Sequence, residues 1–387
     1  MGTDFRQASS RLASGADFCQ ASFRLASGAE NSKPSFVQAG MPIIDCDLHN
    51  RLPSHQMLYP YLPDYWCDYC EESGFPGPDA NDYPDGVPTS TRPEITHPSE
   101  DRPASDLALL RKHALDFWEV EYGILTCGYR VQSVHNEDLA AVLASAVNDW
   151  QIEHWLTPEP RLRASLIVPS QNPELAAREI ERLGGHPGFV QIMLPARSQA
   201  PYGNRRYHPI YDAAVRHQLV VGIHYGGAPG LPPTSVGWPS TYLEEYVGMS
   251  QVFQAQVLSL VSEGVFDKFP DLRVALIETG VTWMPSLMWR FDKEWRGLRS
   301  LTPWVKRPPS AYIREHIRMT LQPIDAPPTA AELLQIVGQL DSEDMLMFSS
   351  DYPHWHFDSA DEAFPTQLPQ SLTRKILSEN AREFYRL

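Results

Sequence analysis

The sequence predicts a (β/α)8 TIM barrel, and three observations carry that expectation. Eight short apolar, β-branched runs succeed one another, amphipathic stretches lie between them, and histidines or carboxylates sit just past several runs. The runs span residues 42–46, 122–127, 163–168, 189–194, 219–223, 272–277, 317–321 and 344–348. Apolar runs without strict alternation suit strands buried on both faces, as in a parallel sheet covered by helices. Helical patterns at 136–155, 172–183, 210–217 and 241–262 separate them. Eight strand–helix alternations are what a closed barrel requires. An open doubly wound sheet is the competing reading, but no glycine-rich phosphate loop follows the first run.

The chain has 387 residues, with 32 Lys+Arg against 48 Asp+Glu, for a formal net charge of −16. That acidity argues against nucleic acid or an anionic membrane as partner, since both need clustered cations. No apolar run reaches the roughly 18 residues of a membrane span. Five cysteines in so long a chain do not make a disulfide scaffold, so the reducing cytoplasm is the expected compartment. Residues 5–17 and 18–30 are near-duplicates rich in Ser, Ala and Gly, so residues 1–40 read as a flexible tail and 41–387 as the barrel. About 70 residues separate the first two strands, far beyond an ordinary connection. This insertion, approximately 50–118, reads either as a lid over the mouth, which would imply a partly enclosed organic substrate, or as surface decoration.

Active sites of such barrels form at the C-terminal ends of the strands. Strand 1 ends Asp45-Cys46-Asp47-Leu48-His49, and alternation places Asp45, Asp47 and His49 on one side. His224 ends strand 5 and Glu278 ends strand 6. Strand 8 leads into Asp351-Tyr352-Pro353-His354-Trp355-His356-Phe357-Asp358. Each residue alone has an ordinary explanation, such as a core imidazole on a carbonyl or a carboxylate capping a helix. Buried charges need partners, however, and several converging on one rim make a metal site the joint reading. The tally of candidate ligands is Asp47, His49, His224, Glu278, Asp351, His354 and His356. Seven exceeds what one ion with an open position needs, so either some orient the others or two ions bind. The donors suit Zn, Fe or Mn as divalent ions.

These residues give the chain its likeness. It resembles the amidohydrolase superfamily, in the branch containing decarboxylases of aromatic or muconate acids and small-molecule hydrolases. Asp47-Leu48-His49 stands at that family's strand-1 motif, His224 at its strand-5 histidine, and Asp351, within Ser-Ser-Asp-Tyr-Pro, at its strand-8 aspartate. The segments 264–273 and 277–285 match the branch as well. Two departures stand out: Glu278 replaces a frequent strand-6 histidine, and residues 189–194 offer no lysine to bridge two metals.

The resemblance implies a metal-dependent enzyme acting on a small organic molecule by hydrolysis or decarboxylation, with Asp351, His224 and Glu278 catalytic. In hydrolysis, Asp351 would take the proton of metal-activated water, and His224 or Glu278 would polarise the substrate. The alternative is an O2-dependent hydroxylase holding iron, or iron with manganese, as a few similar proteins do. A homo- or hetero-oligomer is expected from the apolar helices and the habits of the branch. Arg130 and Arg197 are candidate carboxylate-binding residues, and Trp355 a candidate pocket wall. Cys67 and Cys70 have clip spacing without a second pair, Cys46 and Cys127 read as core, and Glu244, Glu245 and Glu294 read as solvated.

Overall fold

The computed structural model describes residues 33–78, 103–227, 232, 234–325, 327, 329–354, 363–364 and 368–387. The repeat-bearing tail, the middle of the insertion, and the candidates Trp355 and His356 lie outside the described residues.

The strands are β1 (Ile43–Leu48), β2 (Val120–Leu125), β3 (Leu162–Ile167), β4 (Phe189–Arg197), β5 (Val220–Gly227), β6 (Val274–Ile277), β7 (Ile317–Thr320) and β8 (Leu346–Met347). They form one sheet in chain order, every neighbouring pair parallel. Beyond β8 the ring closes on β1: Cys46 N–H donates to the Phe348 carbonyl at 3.0 Å, and His49 N–H to that of Tyr352 at 2.9 Å. Each of the eight apolar runs thus became one strand of a (β/α)8 barrel.

The helices between them begin where short polar side chains replace missing backbone acceptors. Asn136 accepts from Leu139 N–H ahead of Glu137–Gln151, and Asn172 from Leu175 N–H ahead of Pro173–Leu183. Thr241 with Glu244, and Thr329 with Glu332, close reciprocal capping boxes at Tyr242–Ser262 and Ala330–Leu340. Glu244 is therefore part of a cap.

Two apolar layers result. Ile44, Cys46, Ile124, Val220, Ala275, Ile277 and Met347 cluster together, packed with Phe384 and Tyr385 of the C-terminal helix Asn380–Tyr385. A larger layer joins the other strand faces to the helices. At Gly222 a Cβ would lie 2.5 Å from the Gln191 side chain, which bonds Ser165 and Tyr385. Glycine at that point lets polar Gln191 fill the space beside β5. Ahead of β1, Phe36 of the short helix Ser35–Gln38 stacks on Trp118 at 6.0 Å. No helix among the described residues is long and apolar enough to cross a membrane.

Candidate metal centre

Five strand ends deliver the polar side chains. β1 carries Asp47 and is followed directly by His49, Thr126 follows β2, β5 carries His224, Glu278 follows β6, and Asp351 lies in the turn beyond β8. The pairing of β1 with β2 is irregular between Asp45 and Leu48. Asp45 is thereby absent from the cluster that alternation predicted: its Oδ1 accepts from Asp47 N–H at 3.2 Å and Ser350 N–H at 3.0 Å. It ties β1 to the β8 turn. Burial pushes its carboxyl up to about 7 against the pull of those bonds.

Glu278 and Asp351 have φ of +59° and +55°. A side chain in left-handed backbone costs of order 1–3 kcal/mol and persists only where the surroundings impose it. Here the imposition is visible. Glu278 N–H donates to Thr320 Oγ1 at 3.1 Å, and the following turn closes on Asp325, which accepts from Val281 N–H at 2.7 Å. At Gly280, φ +69°, a Cβ would collide with the Asp325 carboxylate at 2.6 Å, so that turn requires glycine.

One donor atom from each of Asp47, His49, His224 and Glu278 lies within 4.8 Å of the others, all four side chains buried. His224 Nε2 is 3.5 Å from Asp47 Oδ1 and 3.5 Å from Glu278 Oε2. His49 Nε2 is 3.8 Å from Asp47 Oδ1 and 3.0 Å from Asp351 Oδ1. A second group, His49, Asp351 and His354, shares His49 with the first. The ring orientations are set from behind: His224 Nδ1–H donates to the Tyr225 carbonyl at 2.9 Å, which presents Nε2 to the carboxylates. Thr126 Oγ1–H donates to Asp47 Oδ1 at 2.5 Å.

The donor set fits a divalent cation. His224 Nε2 and Asp47 Oδ2 are buried without a hydrogen-bond partner, which a folded chain rarely tolerates unless a guest satisfies them. Burial, with the His354 ring beside it, lowers His49 to about 4 against the pull of Asp47 and Asp351, leaving its ring neutral and a donor to metal. Burial, then the charges of Asp351 and Asp47, holds the Glu278 carboxyl well above the usual range, while Arg130 opposes the shift. A cation among these oxygens would relieve the repulsion.

The other candidates fall as follows. Arg130 Nη2 donates to the Tyr225 carbonyl at 3.4 Å, near the cluster's rim. Arg197 is buried and pairs with Glu245 at 3.3 Å. Glu245 is thus buried, not solvated as its helical setting suggested, because the end of β4 brings it a guanidinium. Cys46 and Cys127 are buried, and burial raises both thiols. Cys67 Sγ lies 3.6 Å from the Tyr59 carbonyl, and among the described residues neither it nor Cys70 joins a metal-ligating group. Sequence reasoning missed Thr126 and Arg51. Arg51 continues the Asp47-x-His49 alternation by one step, and its Nη2 stands 3.4 Å from His354 Nε2.

Fold and site together define a barrel protein with a buried group able to hold a cation at the C-terminal mouth of its strands. The Amidohydrolase family model matches residues 44–387, and the chain belongs to that family. Gamma-resorcylate decarboxylase of a Polaromonas species is 26% identical over 266 residues, 66% of this chain and 80% of its own. Among solved structures, a dihydroxybenzoic acid decarboxylase from Polaromonas, with bound manganese and 2-nitroresorcinol, superposes with a TM-score of 0.64 at 23% identity. That match covers 90% of this chain and 97% of the other. A 5-carboxyvanillate decarboxylase from Novosphingobium aromaticivorans, also with manganese, gives 0.67 at 20% identity, covering 92% and 100%. At these identities the structural likenesses establish the fold.

Proposed function

We propose that the protein is a divalent-metal-dependent decarboxylase of a hydroxylated aromatic acid. The observation that carries the reading is the buried group Asp47, His49, His224 and Glu278, extended through His49 to Asp351, at the barrel mouth. The family membership and the aromatic-acid decarboxylases described above give it its substrate class. His49 presents Nε2 toward both Asp47 and Asp351, and one lone pair serves one ion, so the two groups describe a single cation site. Manganese is the expected ion, held by Asp47, His49, His224 and Asp351. None of the relatives described is an O2-using hydroxylase, and that expectation is not carried forward.

A cation held by Asp47, His49, His224 and Asp351 would supply Lewis-acid chemistry to the substrate's oxygens. The chain's own part is proton delivery. Glu278 is hydrogen-bonded to Asp351, and two carboxyl groups share a hydrogen bond only when one carries a proton. That proton passes to the ring carbon as its bond to the carboxylate breaks and CO2 leaves. The electron pair of the broken bond becomes the new C–H bond, and solvent returns the proton. Arg130, beside Glu278, stabilises the carboxylate left behind.

Anaerobic incubation of the manganese-loaded chain with a panel of 2-hydroxybenzoates tests the reading. One CO2 per phenol formed is expected, without O2. A hydroxylated product formed only in air, or turnover of amides alone, would overturn it.

A further inference from the structure

We propose that His354 and Arg51 form a clamp that positions Asp351, so that His354 orients a ligand of the ion and does not itself bind it. The inference rests on the reading above, in which Asp351 belongs to the cation site. It arises from three strand ends meeting outside the ligand cluster.

His354 grips Asp351 twice. Its backbone N–H donates to the Asp351 carbonyl at 2.8 Å, closing a tight turn. Its ring Nδ1 lies 2.9 Å from Asp351 Oδ1, the same oxygen that faces His49. The second nitrogen decides the tautomer. Arg51 carries only N–H donors, so with Nη2 3.4 Å away, His354 Nε2 accepts and Nδ1 bears the proton. Both ring nitrogens are then committed, one as donor to Asp351 and one as acceptor from Arg51. No lone pair remains for a cation. The group His49, Asp351 and His354, which by proximity alone could hold a second ion, thereby loses His354 as a donor.

The backbone explains why a clamp is needed. Asp351 is held at positive φ, a conformation its own sequence does not favour. Downstream, Tyr352 is tied to β1 through its pairing with Leu48 and its carbonyl's bond from His49 N–H. Those bonds fix the backbone, and His354 Nδ1 joins His49 Nε2 in fixing the carboxylate through the same Oδ1. The Arg51 side chain runs close to the chain after β2: a Cβ at Gly128 would stand 3.8 Å from Arg51 Nε. The clamp therefore links β1, β2 and β8. The His354 side chain is 12% exposed and that of Asp351 0%, so water competes weakly for the bond.

The test is the affinity of the chelator-stripped full chain for Mn2+, read from the electron paramagnetic resonance signal of free Mn2+. His354→Phe keeps the ring and removes both nitrogens; it should weaken binding about 10- to 100-fold, the usual loss when a ligand's supporting partner is removed. His354→Asn carries an amide N–H where Nδ1–H stood and should recover affinity to within about threefold of wild type. Arg51→Met should fall between them. If His354 were a ligand, His354→Asn would lose as much as His354→Phe, and that result overturns the clamp. So does wild-type affinity in a folded His354→Phe protein. Failure of the wild-type chain to bind Mn2+ would instead remove the metal reading, and the clamp with it.

Discussion

Two buried polar clusters in this barrel obey opposite rules. Between the helices Glu137–Gln151 and Pro173–Leu183, Asn148 gives its amide hydrogens to the Ile167 carbonyl at 2.9 Å and to Glu179 at 2.7 Å, while its oxygen accepts from Ile167 N–H. Glu179 also receives Ser145 at 2.7 Å and Arg182 at 2.8 and 2.9 Å. Every charge there has a partner within the chain. At the strand mouth, by contrast, like charges crowd together, His224 Nε2 and Asp47 Oδ2 lack partners, and two carboxylate residues sit in left-handed backbone. One cluster is complete as folded. The other leaves buried atoms unsatisfied in a group able to hold a divalent cation, and that is the difference between the two.

The contrast breaks if substitutions at the two clusters have the same consequences. The largest expected effect is at the mouth. His224→Ala and Asp47→Asn should each lower CO2 release at least about a thousandfold in a spectrophotometric assay. The metal-free Asp47→Asn protein should meanwhile unfold later in urea, by about 0.5–2 kcal/mol, because a buried like charge is gone. Glu179→Ala should behave in reverse, costing about 1–3 kcal/mol in the same urea titration by leaving the buried Asn148 amide short of an acceptor while Arg182 keeps Asp149, with turnover within about twofold of wild type.

A fourth substitution extends the contrast to pH. Arg161, then Arg111, hold Glu159 down to about 2 although its burial raises it. A depressed folded pKa contributes stability fully present above the unfolded value, about 4.5, and lost as pH falls toward 2. Glu159→Gln should therefore cost about 1–3 kcal/mol at pH 7 and progressively less between about pH 4.5 and 2, followed by chemical denaturation at each pH. The smallest effect is at Gln218, φ +59°, just past the helix His208–Arg216 and far in role from the mouth. Gln218→Gly should raise stability by about 0.5–1 kcal/mol in thermal melts with turnover unchanged.

What could be read in advance was whatever depends on local pattern. The apolar runs became strands because buried parallel strands need apolar residues on both faces, and Thr241 with Glu244 capped the helix their spacing announced. Asp47, His49, His224 and Glu278 could be named because a barrel puts strand ends together, so position along each run stands in for position in space. Residues whose surroundings come from remote segments were not legible. Asp45 left the predicted face because β1 loses its regular register there. Glu245 looked solvated until β4 supplied Arg197. Arg51 belongs to no apolar run or ligand motif, and its meaning comes from His354, 303 positions away.

Anomalous scattering at the manganese edge, from crystals of the full chain grown with Mn2+, would locate any ion at the strand mouth and count it. One peak per chain is expected, enclosed by Asp47, His49, His224 and Asp351, with His354 turned toward Arg51. No peak there, or a second ion bound through His354, would contradict it.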